Sequence, residues 1–286
     1  MIDRLLEDGH RAKVCCRVLG VSSPGYYKYR NRPLSPTQMR RQWLTGLIRE
    51  VHAASRQTYG SRRVRAELTL GMGVTVSERL VALLMSQAGI VGLPCPGKVK
   101  RLSGVATADD LVHRKFHRLA PNELWVTDIT EHPTREGKVY CCTVMDTFSR
   151  KIVGWSIDSS QDTHLVVNAL DMAIKARRPG AGGIVHADHG VQFTSWAFTS
   201  KIRDAGLMPS FGTIGDCYDN SMMESFWSSM QIELLNRKRW RTRTDLANAM
   251  FEYIEIFYNR QRRHSKLGYA TPIEHELRFT TTPIPA

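Results

Sequence analysis

The spacing of apolar residues changes near residue 118, and the pattern beyond that point limits the fold more than any other feature of the chain. LWVTDIT (124–130), VYCCTVMD (139–146) and KIVGWSI (151–157) are rich in β-branched and aromatic residues and are separated by short turns bearing Gly or Ser. That spacing predicts a three-strand antiparallel meander. A helix over 164–177 comes next, with Thr163 as its cap and Val166, Ala169, Leu170 and Ala173 on one face. GIVHAD (183–188) reads as a short buried strand, a helix covers about 194–205, and a last strand lies near 207–211. Three antiparallel strands followed by alternating helix and strand predict an α/β fold, a mixed five-stranded sheet with flanking helices.

This is the element order of ribonuclease-H-like folds, an analogy that establishes no activity by itself. The segment before it is helical. Residues 10–30 place Val14, Val18 and Leu19 ahead of a break at Gly20, and Ser22 or Ser23 can cap a second short helix, as in a helix-turn-helix. A second helical module spans about 38–90. It carries Arg62, Arg63 and Arg65 in YGSRRVRAEL, and Ser77 caps a helix with Leu80, Leu83, Leu84 and Ala88 on one stripe. The expected organisation is a helix-turn-helix segment (1–35), the second helical module (38–90), a basic linker (91–117), a catalytic core (118–235) and a basic helical tail (236–286).

The charge balance favours a polyanionic partner. The chain carries a net +13, with +12 in residues 1–117, −3 in 118–225 and +4 in 226–286. Basic flanks around a mildly acidic centre suit modules that grip nucleic acid beside a site where carboxylates are gathered. Cysteines at 15, 16, 95, 141, 142 and 217 form no C-x-x-C pair, so a zinc finger is not expected and the thiols read as reduced. No run approaches 18 apolar residues and the start lacks a signal-peptide core, so the expected location is the cytoplasm, on the nucleoid when DNA is bound.

Three carboxylates stand out by position. Strand alternation puts Asp128 on the face of Leu124, Val126 and Thr130, where a lone carboxylate is costly unless it binds a cation or meets solvent. Asp188 ends the GIVHAD strand, the place where α/β sheets collect ligands, although an Asp-x-Gly turn explains it equally well. Glu224 either closes an S-x-x-E capping box with Ser221 or points from a helix whose Met223, Phe226, Trp227, Met230 and Leu234 pack on the core.

The blocks around these acids are distinctive. WVTDIT, HADHGVQFTS and GDCYDNSMMESFWSSMQIELL, with 35 residues between Asp188 and Glu224, closely resemble the signature blocks of the DDE transposase and integrase superfamily. Within it the chain resembles the second-frame (OrfB) proteins of frameshifting bacterial insertion sequences, whose motifs are also matched by YGSRRVRAEL, MDTFSRKIVGW and YNRQRRHSKLGYATP. The resemblance covers nearly the whole chain and extends the integrase-type domain to about 280. It implies a DNA transposase with Asp128, Asp188 and Glu224 as catalytic residues.

Phosphoryl transfer in DNA needs charge relief on the attacking oxygen, the leaving oxygen and the phosphate, which two divalent ions supply, and hard oxygen ligands suit Mg²⁺ or Mn²⁺. Asp128 is then expected to bridge both ions, with Asp188 on one and Glu224 on the other. His186 and His189 are assigned to the site wall, and Asp219 and Asn220 to the turn that presents Glu224. Arg62, Arg63, Arg65, Arg260, Arg262, Arg263 and Lys266 are expected on DNA phosphates. The implied partners are double-stranded DNA (terminal inverted repeats and target), further copies of the chain, and an upstream-frame protein fused to it or acting with it. One position departs from the pattern: seven residues after Glu224 the resembling proteins usually carry Lys or Arg, and this chain has Gln231. The competing readings are a ribonuclease-H-like nuclease and a catalytically retired DNA-binding regulator.

Overall fold

The computed structural model describes residues 1–94, 116, 118–212 and 221–281. Most of the expected linker, together with Asp219 and Asn220, lies outside the described residues. Two compact units are present, residues 1–49 and 50–286. The division falls within one helix rather than in the linker.

In the first unit, α2 (Ala12–Val18) and α3 (Ser23–Arg30) form the two expected short helices, and α1 (Ile2–Glu7), not expected from the sequence, precedes them. Ser22, not Ser23, caps α3 by accepting the Gly25 N–H at 3.2 Å. Helix α4 runs Pro36–Ala54.

The second unit begins with α5 (Ser61–Ala66), which continues as a π-helical stretch Glu67–Gly71, and α6 (Glu78–Gln87), capped by Ser77 as expected. Five strands come after them: β1 (Leu124–Thr134), β2 (Gly137–Asp146), β3 (Ile152–Asp158), β4 (Ile184–Ala187) and β5 (Met208–Phe211), in the order β3-β2-β1-β4-β5. β1 to β3 pair antiparallel, while β4 and β5 run parallel to β1. This is the ribonuclease-H-like sheet.

Alternation along each strand sorts the sheet into two buried faces. Trp125, Cys142, Val144, Val153 and Val185 pack with α7 (Thr163–Arg177) and α8 (Trp196–Asp204). Each buried Leu or Val there contributes roughly 1.5–3 kcal/mol. Gly154 lets α7 approach β3, because a Cβ at this position would stand 2.7 Å from the Ala173 nitrogen. The cap of α7 is Asp162 rather than Thr163: its carboxylate accepts the Leu165 N–H at 3.2 Å from an extended backbone.

The opposite face carries α9 (Ser221–Glu233), α10 (Arg243–Glu252) and the π-helical continuation Tyr253–Gln261. One side chain ties this continuation to the edge strand. Asn259 accepts the Ile152 N–H at 3.0 Å and donates to the Ile152 carbonyl at 2.9 Å, as a neighbouring strand would. Helix α11 (Pro272–Thr281) is fastened through Glu276, which receives Arg177, Lys151 and Ser149.

Candidate active site

β1 and β4 are parallel neighbours with Val126 opposite His186. Carried two residues further, the same register sets Asp188 opposite Asp128, on the face covered by α9. Glu224 lies in the first turn of α9, whose Met223, Phe226 and Met230 are buried. The Trp227 indole fastens this helix to β1, its Nε1 donating to Asp128 Oδ2 at 3.1 Å. The stripe that packs α9 on the sheet thereby fixes the side from which Glu224 approaches.

The Asp128 carboxyl is pushed up to about 6. Burial is the main cause, the negative charges of Asp188 and Glu224 add to it, and hydrogen bonds from the Ile129 N–H and Trp227 oppose it. Asp188 is exposed, and its Oδ1 accepts the Gly190 N–H at 3.0 Å, so the Asp-x-Gly turn is formed as well. His186 is buried, 3.0 Å from Ser210 Oγ, and packs edge-on to Phe116. His189 stacks at a tilt on Phe211, and its Nε2 is buried with no hydrogen-bond partner among the described residues.

Among the described residues, no three His, Cys, Asp or Glu side chains converge closely enough to form a metal-holding group. Asp128, Asp188 and Glu224 share a face and an electrostatic field without a finished coordination shell. Their chemistry suits a hard divalent ion. The donors are carboxylate oxygens, and the repulsion that adds to burial in raising Asp128 is what a cation would relieve.

Comparison with known proteins adds the family. The integrase core domain family matches residues 118–217 and, in a second segment, 205–272, and an HTH-like domain family matches residues 39–98. The chain is 34% identical to the transposase for insertion sequence element IS629 of Shigella sonnei, over 96% of this chain and 94% of that one. The chain belongs to the IS3-family transposases. It is also 35% identical to an insertion element IS600 protein of Shigella sonnei (90% of this chain, 95% of the other). With the transposase InsF of Escherichia coli K12 it shares 32% identity (92% and 93%).

In this transposase the arginines expected on DNA divide into two sets. Arg262 is turned inward, with Nε and Nη2 each 2.8 Å from Glu233 and Nη2 also on Ser229. Glu233 further receives Tyr253 at 2.8 Å and Arg63 at 3.3 Å, and burial opposed by Arg262 and Arg63 leaves its carboxyl below the usual range. Arg263 is buried between Glu67 and Glu274. The expectation of phosphate contact is therefore corrected at Arg262 and Arg263, whose buried guanidiniums are retained by their carboxylate partners, while Arg63 is half-buried on Glu233. These residues staple α5 and its π-helical extension to α9 and the tail. Arg62, paired with Glu78, and Arg65, on the Val76 carbonyl, remain exposed, as do Arg260 and Lys266. Gln231 is half-buried and donates to Asn236 at 2.6 Å.

Two residues that matter here were read from the sequence only as core or not at all. Trp227 belonged to an apolar stripe, and only its indole N–H hinted at a polar partner. Glu233 had one available signal, an acid at an otherwise apolar helix position.

Proposed function

We propose that this transposase cleaves the ends of its insertion sequence and joins the freed 3′-hydroxyls to target DNA, with Asp128, Asp188 and Glu224 as its catalytic carboxylates. The observation that carries the reading is the parallel register that sets Asp188 opposite Asp128, together with the Trp227–Asp128 hydrogen bond that fastens the helix bearing Glu224 to the same strand. The three side chains would hold Mg²⁺ or Mn²⁺, two ions in all. When bound, such ions lower the pKa of an attacking water or hydroxyl and neutralise charge on the transferred phosphoryl group.

The protein's own groups supply orientation. Trp227 Nε1 and the Ile129 N–H each take one oxygen of Asp128, so its carboxylate plane is set before DNA arrives. Gly190 does the same for one oxygen of Asp188. Basic surface outside the core draws the polyanionic substrate, and pairing two element ends with one target calls for more than one copy of the chain.

Strand joining separates this reading from its rivals. The chain, produced with any upstream-frame partner, is incubated with labelled duplexes bearing the element's terminal repeats and a target plasmid. Joined products support transposition. Cleavage without joining supports a nuclease, and DNA binding with neither activity supports a retired regulator.

A further inference from the structure

Beyond Glu233, α9 leads through a 3₁₀ turn (Leu235–Arg237) into RKRWRTR (237–243), five cations in seven residues with no carboxylate among them. Trp240 anchors the segment. It is buried, its Nε1 donates to the Leu235 carbonyl at 3.0 Å, and Lys238 Nζ lies 4.2 Å from the centre of its ring. The tip of the β1–β2 hairpin docks here, with the Arg135 N–H on the Trp240 carbonyl at 3.2 Å. This brings a sixth cation from a hundred residues away in sequence to the same cleft.

Several arginines of the unit are held by carboxylates. Arg56, Arg62, Arg63, Arg177, Arg262 and Arg263 all carry ion pairs. Arg135, Lys238 and Arg239 are exposed and form no ion pair among the described residues. The nearest acid in the hairpin, Glu136, is turned to the Arg243 backbone N–H at 2.9 Å. A solubilising surface needs neither the tryptophan anchor nor the converging hairpin.

The cleft also has a fixed relation to the acids. Trp227 meets Asp128 at one point along α9 and β1, and Leu235 and Asn236 meet His132 to Thr134 at another, so helix and strand run the same way. Seven strand residues from Asp128 to Arg135 span about 23 Å at roughly 3.3 Å each. The segment from Glu224 to Asn236, α-helical as far as Glu233, spans about 18 Å at 1.5 Å per residue. Between the two ends the outer side of α9 offers Ser225 and Ser228, both exposed, small and uncharged.

We propose that Arg135, Lys238 and Arg239 form a track for DNA backbone phosphates about six base pairs from the reacting phosphate, taking 3.4 Å per base pair. The inference rests on the transposase reading and adds where the duplex lies as it leaves the acids. Contacts of this kind set register rather than sequence preference.

The test compares the full chain with R135Q/K238Q/R239Q in binding duplex DNA carrying the element ends across a salt titration, with thermal melting as a check on folding. Three lost phosphate contacts flatten the log–log slope by about 2.7, at roughly 0.9 per contact. Phosphate-ethylation interference five to seven base pairs from the joined end should disappear in the variant. A folded variant with the parent's slope and interference pattern overturns the track. The single exchange Arg239→Gln, expected to flatten the slope by about 0.9, serves if the triple variant fails to fold. Failure of the transposase reading looks different, because there the parent chain itself joins no strands.

Discussion

The Trp227 indole donates to Asp128 Oδ2 at 3.1 Å, so the helix bearing Glu224 is fastened to the strand bearing Asp128. Trp227→Phe keeps the ring packed on Phe226 and removes only the donor. A hydrogen bond to a charged group contributes about 1.5–3 kcal/mol, so its loss should raise the Asp128 carboxyl by roughly one to two pH units. The acid limb of the pH–rate profile for metal-dependent joining should move up by that amount while the melting temperature changes little. An unmoved limb would separate Trp227 from the chemistry.

Arg262 and Lys266 come from one motif and should behave oppositely. Arg262→Met leaves Glu233 buried with one cation fewer and is expected to lower stability by about 3–5 kcal/mol in urea unfolding. Lys266→Gln, at an exposed position, should stay within about 0.5 kcal/mol and instead weaken DNA binding, most visibly at low salt. Equal stability of the two variants would contradict the buried pairing.

That contrast shows what the sequence made legible. Strand periodicity located Asp128 on its face, and the end of GIVHAD located Asp188, because both follow from local alternation. The partner of Arg262 is 29 residues away, and Arg263 is held between Glu274, 11 residues on, and Glu67, 196 residues back, so no local pattern reports the full pairing. A basic cluster read along the chain as a DNA grip therefore has two of its four cations, Arg262 and Arg263, turned inward, while Arg260 and Lys266 stay exposed. Asp162 displaced Thr163 as the α7 cap for a local reason, since both residue types cap helices and backbone conformation chooses between them.

Stability should depend on pH in a way that isolates Asp128. Burial holds His132, His264 and His275 below their usual 6.5, so the stability they contribute above that value is lost as pH falls through it. Glu233 and Glu276, held below 4.5 because arginine pairing outweighs burial, add a second loss under that value. Asp128, raised from 3.8 to about 6, runs the other way and favours the folded chain as pH drops across that window. With a chelator present, Asp128→Asn should therefore lose stability more steeply than the parent between pH 6 and 4 in urea midpoints. Identical profiles would show that Asp128 is not the half-buried, repelled group described above.

Gln231 lies between Glu224 and the basic cleft, bonded to Asn236. Arg237, the nearest cation in sequence, is engaged with the Arg56 carbonyl. Gln231→Lys should leave melting unchanged, tighten binding of element-end DNA at low salt and steepen the salt slope by about 0.9. Unchanged affinity across the titration would mean that position 231 does not face DNA.

The most direct measurement is strand joining by the parent chain and by Asp128→Asn, Asp188→Asn and Glu224→Gln, each shape-conserving, on duplexes carrying the element's ends with Mg²⁺ or Mn²⁺. Glu224→Gln is the sharpest of the three, because glutamine also fits a capping box and a purely structural role would survive the exchange. The account predicts that all three fold and bind DNA while joining falls by roughly a thousandfold or more, equivalent to about 4 kcal/mol at the barrier. A folded variant of any one of them that joins strands within tenfold of the parent would contradict the assignment of these carboxylates.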